Sequence, residues 1–241
     1  LSARPDAFPF LTARPFAHRG LHGGRVSENG MAAFTAAIAG GFGIECDARL
    51  SRDGVAIVFH DAALQRMTGE AGTVSDHDAG AIDRLMLPDG GSVPRLRALL
   101  DLCGTDVPLL IEIKVDGRHV APICAAVADD LARRPKTLAA VMSFNPMAIS
   151  WFRRHRPAVA RGLVVTEQGK RGQRSRIARA LALWTAKPDF IACDIRDLPS
   201  SLSTDARRRG MLVLTWTVRG EEERACAALH ADQIIFERSH D

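Results

Sequence analysis

The chain has 241 residues, 46% hydrophobic and 25% charged, enough apolar content to bury a full core and too much for a disordered or fibrous protein. Its net charge is +4, with 28 Arg against 4 Lys. The positive residues do not form blocks interleaved with aromatics, so nucleic acid is not indicated as a partner. Charged residues interrupt every apolar run before the roughly 20 residues that a transmembrane helix needs.

Short strand-like runs alternate with longer helical patterns, the order expected of parallel strands joined by crossover helices. In chain order they are strand Phe16–His18, helix Met31–Ala39, strand Phe42–Asp47, helix Pro94–Leu102, strand Leu109–Lys114, helix Val120–Arg133, strand Ala140–Ser143 and helix Pro146–Arg154. Strand Gly162–Val165, helix Ser175–Leu183, strand Phe190–Cys193, helix Ser201–Arg209, strand Leu212–Thr217, helix Glu221–Leu229 and strand Gln233–Phe236 follow. Eight such strands predict an α/β fold, a (β/α)8 TIM barrel, which typically takes about 250 residues. The alternation breaks once. Arg52-Asp53-Gly54 turns the chain into Val55–Phe59, and a segment rich in Gly, Asp and Ala follows over about 62–92. That segment reads as a small cap inserted after the second strand, within a single barrel domain spanning 1–241.

The five cysteines (Cys46, Cys103, Cys124, Cys193, Cys226) are odd in number, far apart and form no CxxC pair. Neither a disulfide framework nor a zinc site is indicated, and a reducing compartment, the cytoplasm, is expected. Leu1 to Ala13 does not read as a secretory signal. The sequence starts at Leu rather than Met, so a leader already removed stays open.

The polar residues support the barrel. His18-Arg19, Glu45 with Asp47, Glu112 with Lys114, Ser143 and Trp216 fall at the C-terminal ends of separate strands, positions that converge on the active face of such a barrel. Glu45 and Asp47 are two residues apart and share one face of their strand. Charges among strand hydrophobics are costly unless paired. A hard divalent cation, Mg²⁺ or Ca²⁺, held by Glu45, Asp47 and Glu112 would supply that pairing; helix capping and a structural Glu112–Lys114 ion pair are the plainer alternative. His18 and His60 each end an apolar run, and two imidazoles beside a carboxylate cluster suit proton transfer in opposite senses. Arg19 can grip a phosphate in a two-pronged contact. Asp61 either orients His60 or caps the next turn. The other histidines, His22 included, are read as surface residues.

Ala17-His18-Arg19-Gly20, Glu28-Asn29, Ala33-Phe34, Glu45-Cys46-Asp47, Asp53-Gly54 and Val58-Phe59-His60-Asp61 closely resemble the signature of the glycerophosphodiester phosphodiesterases. The similarity continues at Arg66-Met67-Thr68, Ile111-Glu112-Ile113-Lys114, Ser143-Phe144 and Trp216-Thr217-Val218. The resemblance implies a capped barrel with one divalent cation at Glu45, Asp47 and Glu112, and His18 and His60 as general acid and base. It implies phosphate contacts by Arg19 and Lys114, and a small phosphodiester cleaved to glycerol 3-phosphate and an alcohol. Phe144 and Trp216 match positions that wall the glycerol. Three carboxylates, a dication, a monoanionic diester and two cationic side chains leave such a site neutral overall. Lysophospholipids are the alternative substrate class, and a non-catalytic phosphodiester-binding barrel is the alternative from outside enzymology.

Two positions depart from the family pattern. Gly30 follows Glu28-Asn29 where Thr is usual, and the last strand runs on into Phe236-Glu237-Arg238 where a Thr-Asp-x-Pro ending is common. Glu237 is read as structural rather than as a metal ligand. Between Arg153 and Arg179 there are nine positive residues against one acid, Glu167. A solvated loop accounts for this most simply, and a weak membrane-surface contact through 153–179 is the functional reading.

Overall fold

A computed structural model describes residues 7–115, 117–169 and 172–238. After a one-turn helix α1 (Phe10–Ala13), the chain forms β1 (Phe16–Ala17), α2 (Met31–Ala39), β2 (Gly43–Leu50) and β3 (Ala56–Val58). The short helices α3 (Gln65–Thr68) and α4 (Ala79–Ile82) precede α5 (Leu96–Cys103) and β4 (Leu109–Ile113). Then come α6 (Ala121–Ala132), β5 (Ala139–Ser143), α7 (Pro146–His155), β6 (Ala160–Val165), α8 (Gln173–Ala186) and β7 (Phe190–Asp194). The chain ends with α9 (Ser201–Arg208), β8 (Leu212–Val218), α10 (Glu221–His230) and β9 (Gln233–Phe236).

Eight strands pair in parallel, and β1, hydrogen-bonded to both β2 and β9, closes the sheet into a (β/α)8 barrel. The antiparallel partner of β2 is the hairpin strand β3. Strands β4 and β7 are buried along their whole length, as strands covered on both faces must be, and their sequences are correspondingly apolar on both sides of the pleat.

The interior is filled by Phe16, Leu110, Ala140, Met142, Ala160, Val164, Phe190, Ala192, Leu214 and Ile235, with Leu11 of α1 packed onto the same cluster. Large and small residues alternate so that two phenylalanines fit. A Cβ built on Gly162 would run into the Phe190 ring. Gly162→Ala is therefore expected to cost about 1–3 kcal/mol through overpacking, read as a lower urea midpoint with an unchanged slope.

Between β3 and α5 the chain builds a separate small cluster. Leu64, Val74, Ala79, Ile82 and Leu87 pack onto Ile57 and Phe59 of the hairpin. Asp89 clamps this cap to the loop after β1 by accepting from Ser27 N, while its own N–H donates to Ser27 Oγ. Helix α8 differs from the other long helices: Ile177, Leu181 and Trp184, spaced four and three residues apart on one face, are all exposed. No helix among the described residues is long and apolar enough to cross a membrane.

Candidate active site at the barrel mouth

The strand period of two decides which side chains enter the mouth. Glu45 pairs in register with Leu110 and Asp47 with Glu112, so carboxylates of neighbouring strands lie at matched heights. Lys114 follows Glu112 by two, His18 follows the interior Phe16 by two, and Glu237 follows the interior Ile235 by two. A cavity of about 270 Å³ is lined by His18, Arg19, Glu45, His60, Glu112, Lys114, Phe144, Trp216 and Glu237, among others.

Glu45 and Asp47 are fully buried and Glu112 nearly so, and each offers an oxygen within 4.8 Å of the others. Glu45 Oε2 accepts the Arg19 backbone N–H at 3.0 Å, while Oε1 has no hydrogen-bond partner. A buried carboxylate oxygen left unpaired beside two further carboxylates is the donor set a hard, oxygen-seeking dication fits. Burial, with Asp47 and Glu112 adding like charge, pushes Glu45 well above the usual carboxylate range. Burial also raises Glu112, against the pull of Lys114 2.7 Å away. Asp47 goes the other way. Burial opposes its ionisation, but Lys114 at 3.1 Å and Arg19 at 3.2 Å hold it down to about 2.

The backbone turn that delivers Arg19 depends on two left-handed residues, Arg19 (φ 55°) and Gly20 (φ 78°). A Cβ on Gly20 would meet Ala33 at 2.8 Å, so no other residue fits there without displacing α2. Asn29, also left-handed, is buried, donates to Asp47 Oδ2 at 2.8 Å and accepts the Asp47 backbone N–H at 3.2 Å. Neither Glu28 nor Asn29 shows its task in the sequence pattern alone. Glu28 accepts from Arg19 at 3.1 Å and from Arg66 at 2.6 Å.

Both imidazoles are braced through Nδ1. His18 donates to Glu237 at 2.6 Å, leaving Nε2 3.9 Å from Glu45. His60 donates to Asp61 at 2.7 Å, and Asp61 is gripped by Arg66 at 2.5 Å. Asp61 thus orients His60, and the Arg66 bond together with His60 keeps its carboxyl down at about 2. Burial lowers His60 below its ordinary value, with Arg19 and Lys114 adding to the effect and Asp47 opposing it. Glu237 also accepts from Arg219 at 2.7 Å; burial opposes its charge, yet these two partners hold it down to about 2.

Phe144 and Trp216 meet edge to face at 5.6 Å on the cavity wall, and the indole N–H donates to Ala192 O at 3.0 Å. Ser143 donates to Ile113 O at 2.7 Å and joins β5 to β4. His22 corrects the surface reading: its side chain is only 15% exposed and lies 4.0 Å from Glu237. In the basic segment, Arg156, Arg161 and Arg179 pair with Asp129, Asp189 and Glu167, which offsets part of the excess charge. Lys170 and Arg171 of that segment lie outside the described residues.

A parallel eight-stranded barrel that gathers imidazoles, carboxylates and cations over the C-terminal ends of its strands is built as a barrel enzyme. Residues 18–240 match the model of the glycerophosphoryl diester phosphodiesterase family. The chain belongs to that family, and with it to the phosphoric diester hydrolases.

Two Mycobacterium tuberculosis proteins carrying the family name are among its relatives. Glycerophosphodiester phosphodiesterase 2 is 39% identical over 99 residues, covering 41% of this chain and 37% of that protein. Glycerophosphodiester phosphodiesterase 1 is 29% identical over 240 residues, covering 88% and 85%. Among solved structures, a Silicibacter pomeroyi protein described as a glycerophosphoryl diester phosphodiesterase superposes with a TM-score of 0.80 at 26% identity, covering 92% and 89% of the two chains. An Oleispira antarctica phosphodiesterase, solved with the product sn-glycerol-3-phosphate, gives 0.81 at 21% identity, covering 96% and 94%.

Proposed function

We propose that this enzyme hydrolyses glycerophosphodiesters to glycerol 3-phosphate and an alcohol, with Glu45, Asp47 and Glu112 holding one divalent cation, Mg²⁺ or Ca²⁺. The observation that carries this is the single cavity lined jointly by two braced imidazoles, the carboxylate cluster and Lys114. A cation bound there would supply charge neutralisation and polarisation of a phosphoryl oxygen. His60, which burial keeps in its neutral form near pH 7, takes a proton from the attacking oxygen, whether water or the glycerol 2-hydroxyl. His18 carries a proton at Nε2 to the leaving alkoxide while Glu237 holds Nδ1. Lys114 and Arg19 stabilise charge building on the phosphoryl oxygens. Phe144 and Trp216 offer an apolar wall to the glycerol.

We take residues 1–241 to belong to one barrel domain, with the cap over about 62–92. The five cysteines, all free, support a reducing compartment, which we take to be the cytoplasm.

A second substrate class has one observation in its favour. Phe144 on the cavity wall is 46% exposed, an apolar edge suited to the chain of a lysophospholipid, and a weak membrane-surface contact through 153–179 would suit the same substrate. Glycerol 3-phosphate release from glycerophosphocholine, beside choline release from lysophosphatidylcholine, tests both readings. We expect turnover of the first substrate, at least about tenfold faster than the second, abolished by chelator and restored by Mg²⁺ or Ca²⁺. Chelator-insensitive turnover would remove the metal from the mechanism.

A further inference from the structure

Two residues of the cavity wall, His18 and Glu237, belong with His22 to a second set of metal-ligating atoms that the proposed reaction does not use as ligands. His18, His22 and Glu237 each present one donor within 4.8 Å of the other two. The turn after β1 makes this cluster. Because Arg19 and Gly20 are both left-handed, the chain doubles back instead of extending, and the residue four places after His18 returns to its side. Leu21 N–H, bonded to Ala33 O at 2.9 Å, fixes that return against α2.

His22 Nε2 is buried without a hydrogen-bond partner, and burial shifts its pKa downward, towards the neutral ring that metal ligation requires. A buried polar atom with no partner calls for a ligand, water or ion. Glu237 Oε1 lies between the two rings, 2.6 Å from His18 Nδ1 and 4.0 Å from His22 Nε2. Two imidazole nitrogens and one carboxylate oxygen, completed by a water, form the donor set of a tetrahedral Zn²⁺-class ion rather than of Mg²⁺ or Ca²⁺. Donors around such an ion stand about 3.3 Å apart when bonds are about 2.0–2.1 Å, so the first pair must open slightly and the second must close.

The geometry points to a second metal site, His18–His22–Glu237, that takes a borderline transition ion of the Zn²⁺ class and switches the enzyme off. On binding, the ion replaces the proton at His18 Nδ1, which is released to solvent, and the ring keeps its remaining proton at Nε2. A metal-bound neutral imidazole is a far weaker acid than an imidazolium, so the ligated ring no longer delivers its Nε2 proton to the leaving oxygen. The inhibitory half of this inference rests on the proton-transfer role proposed above for His18; the binding half does not.

Zn²⁺ is titrated by chelator competition, with Mg²⁺ saturating, into wild type, His22→Ala, His22→Asp and Glu45→Gln. Wild type and Glu45→Gln are expected to bind one Zn²⁺ with matching affinity. Binding to His22→Ala should weaken by more than the about 10–100-fold that loss of an outer-shell partner costs, and His22→Asp should regain most of it. Co²⁺ in wild type should give the intense visible bands of a four-coordinate ion, absent from His22→Ala. Zn²⁺ should inhibit wild type and leave His22→Ala, whose basal activity is unchanged, unaffected. Equal affinity in wild type and His22→Ala, or loss of Zn²⁺ on Glu45→Gln alone, would overturn the site. Binding as expected without inhibition would overturn the proton-transfer role of His18 instead.

Discussion

Replacing His60 by alanine is expected to lower kcat for glycerophosphodiester hydrolysis by about 10²–10⁴-fold, the range for loss of a positioned general acid or base. The fold should persist. The ring is about one-third exposed and sits past the end of its strand, outside the apolar clusters, so its loss leaves the core packing in place. His18→Ala is expected to fall in the same range. The double variant should be little worse than the poorer single one, because proton uptake and proton delivery act as a unit. The pH profile adds an independent check. Burial lowers the His60 pKa, so the base form is present at pH 7 and is lost only as pH falls below its ordinary value of about 6.5. Wild-type kcat/KM should therefore drop on the acid side, and His60→Ala should flatten that limb. Steady-state kinetics from pH 5 to about 8 read both effects. A His60→Ala enzyme that keeps more than about a tenth of wild-type kcat lies outside that range and would remove this ring from the chemistry.

Much of this site was legible because strand periodicity and active-face polarity coincide. Glu45 with Asp47, and Glu112 with Lys114, declare a shared strand face by their spacing, and parallel register then brings the two pairs to one height. The sheet was legible for the same reason: the long helices and barrel strands differ from their expected limits only at the ends, where capping decides the last residues.

What the sequence hid were contacts across large separations. Glu237 reaches His18 over 219 residues, and Arg66 reaches Glu28 over 38. The step of two from Ile235 to Glu237 repeats the step from Phe16 to His18, a signal that could have moved Glu237 from a structural role to the cavity wall. His22 was hidden differently. Only the left-handed pair Arg19 and Gly20 turns it inward, and a positive φ at a non-glycine residue is not visible in composition or period.

Glu45→Gln should separate what the carboxylate cluster costs the fold from what it does for the reaction. The folded-state pKa of Glu45 is raised, by burial first and then by Asp47 and Glu112. A raised carboxylate pKa contributes stability below the unfolded value of about 4.3 and loses it as pH rises through the folded value. Near pH 8 in chelator, the wild-type cluster therefore burdens the fold with charge it cannot solvate. Glutamine removes that burden and keeps an oxygen to accept the Arg19 N–H. Chelated Glu45→Gln should accordingly melt above chelated wild type, with the gap closing below about pH 5 as Glu45 protonates in both states. Mg²⁺ should reverse the order. A ligand present at about 100 times its Kd adds about 2.7 kcal/mol to a protein that binds it only when folded, and Glu45→Gln should gain little of this. Activity should move against apo stability: a cation that supplies several kcal/mol to the transition state is worth at least about 10²-fold in rate. Thermal unfolding of both proteins with chelator and with Mg²⁺, beside glycerol 3-phosphate release, measures each effect separately. Equal Mg²⁺-induced shifts in Tm for the two proteins would take Glu45 out of the ligand set.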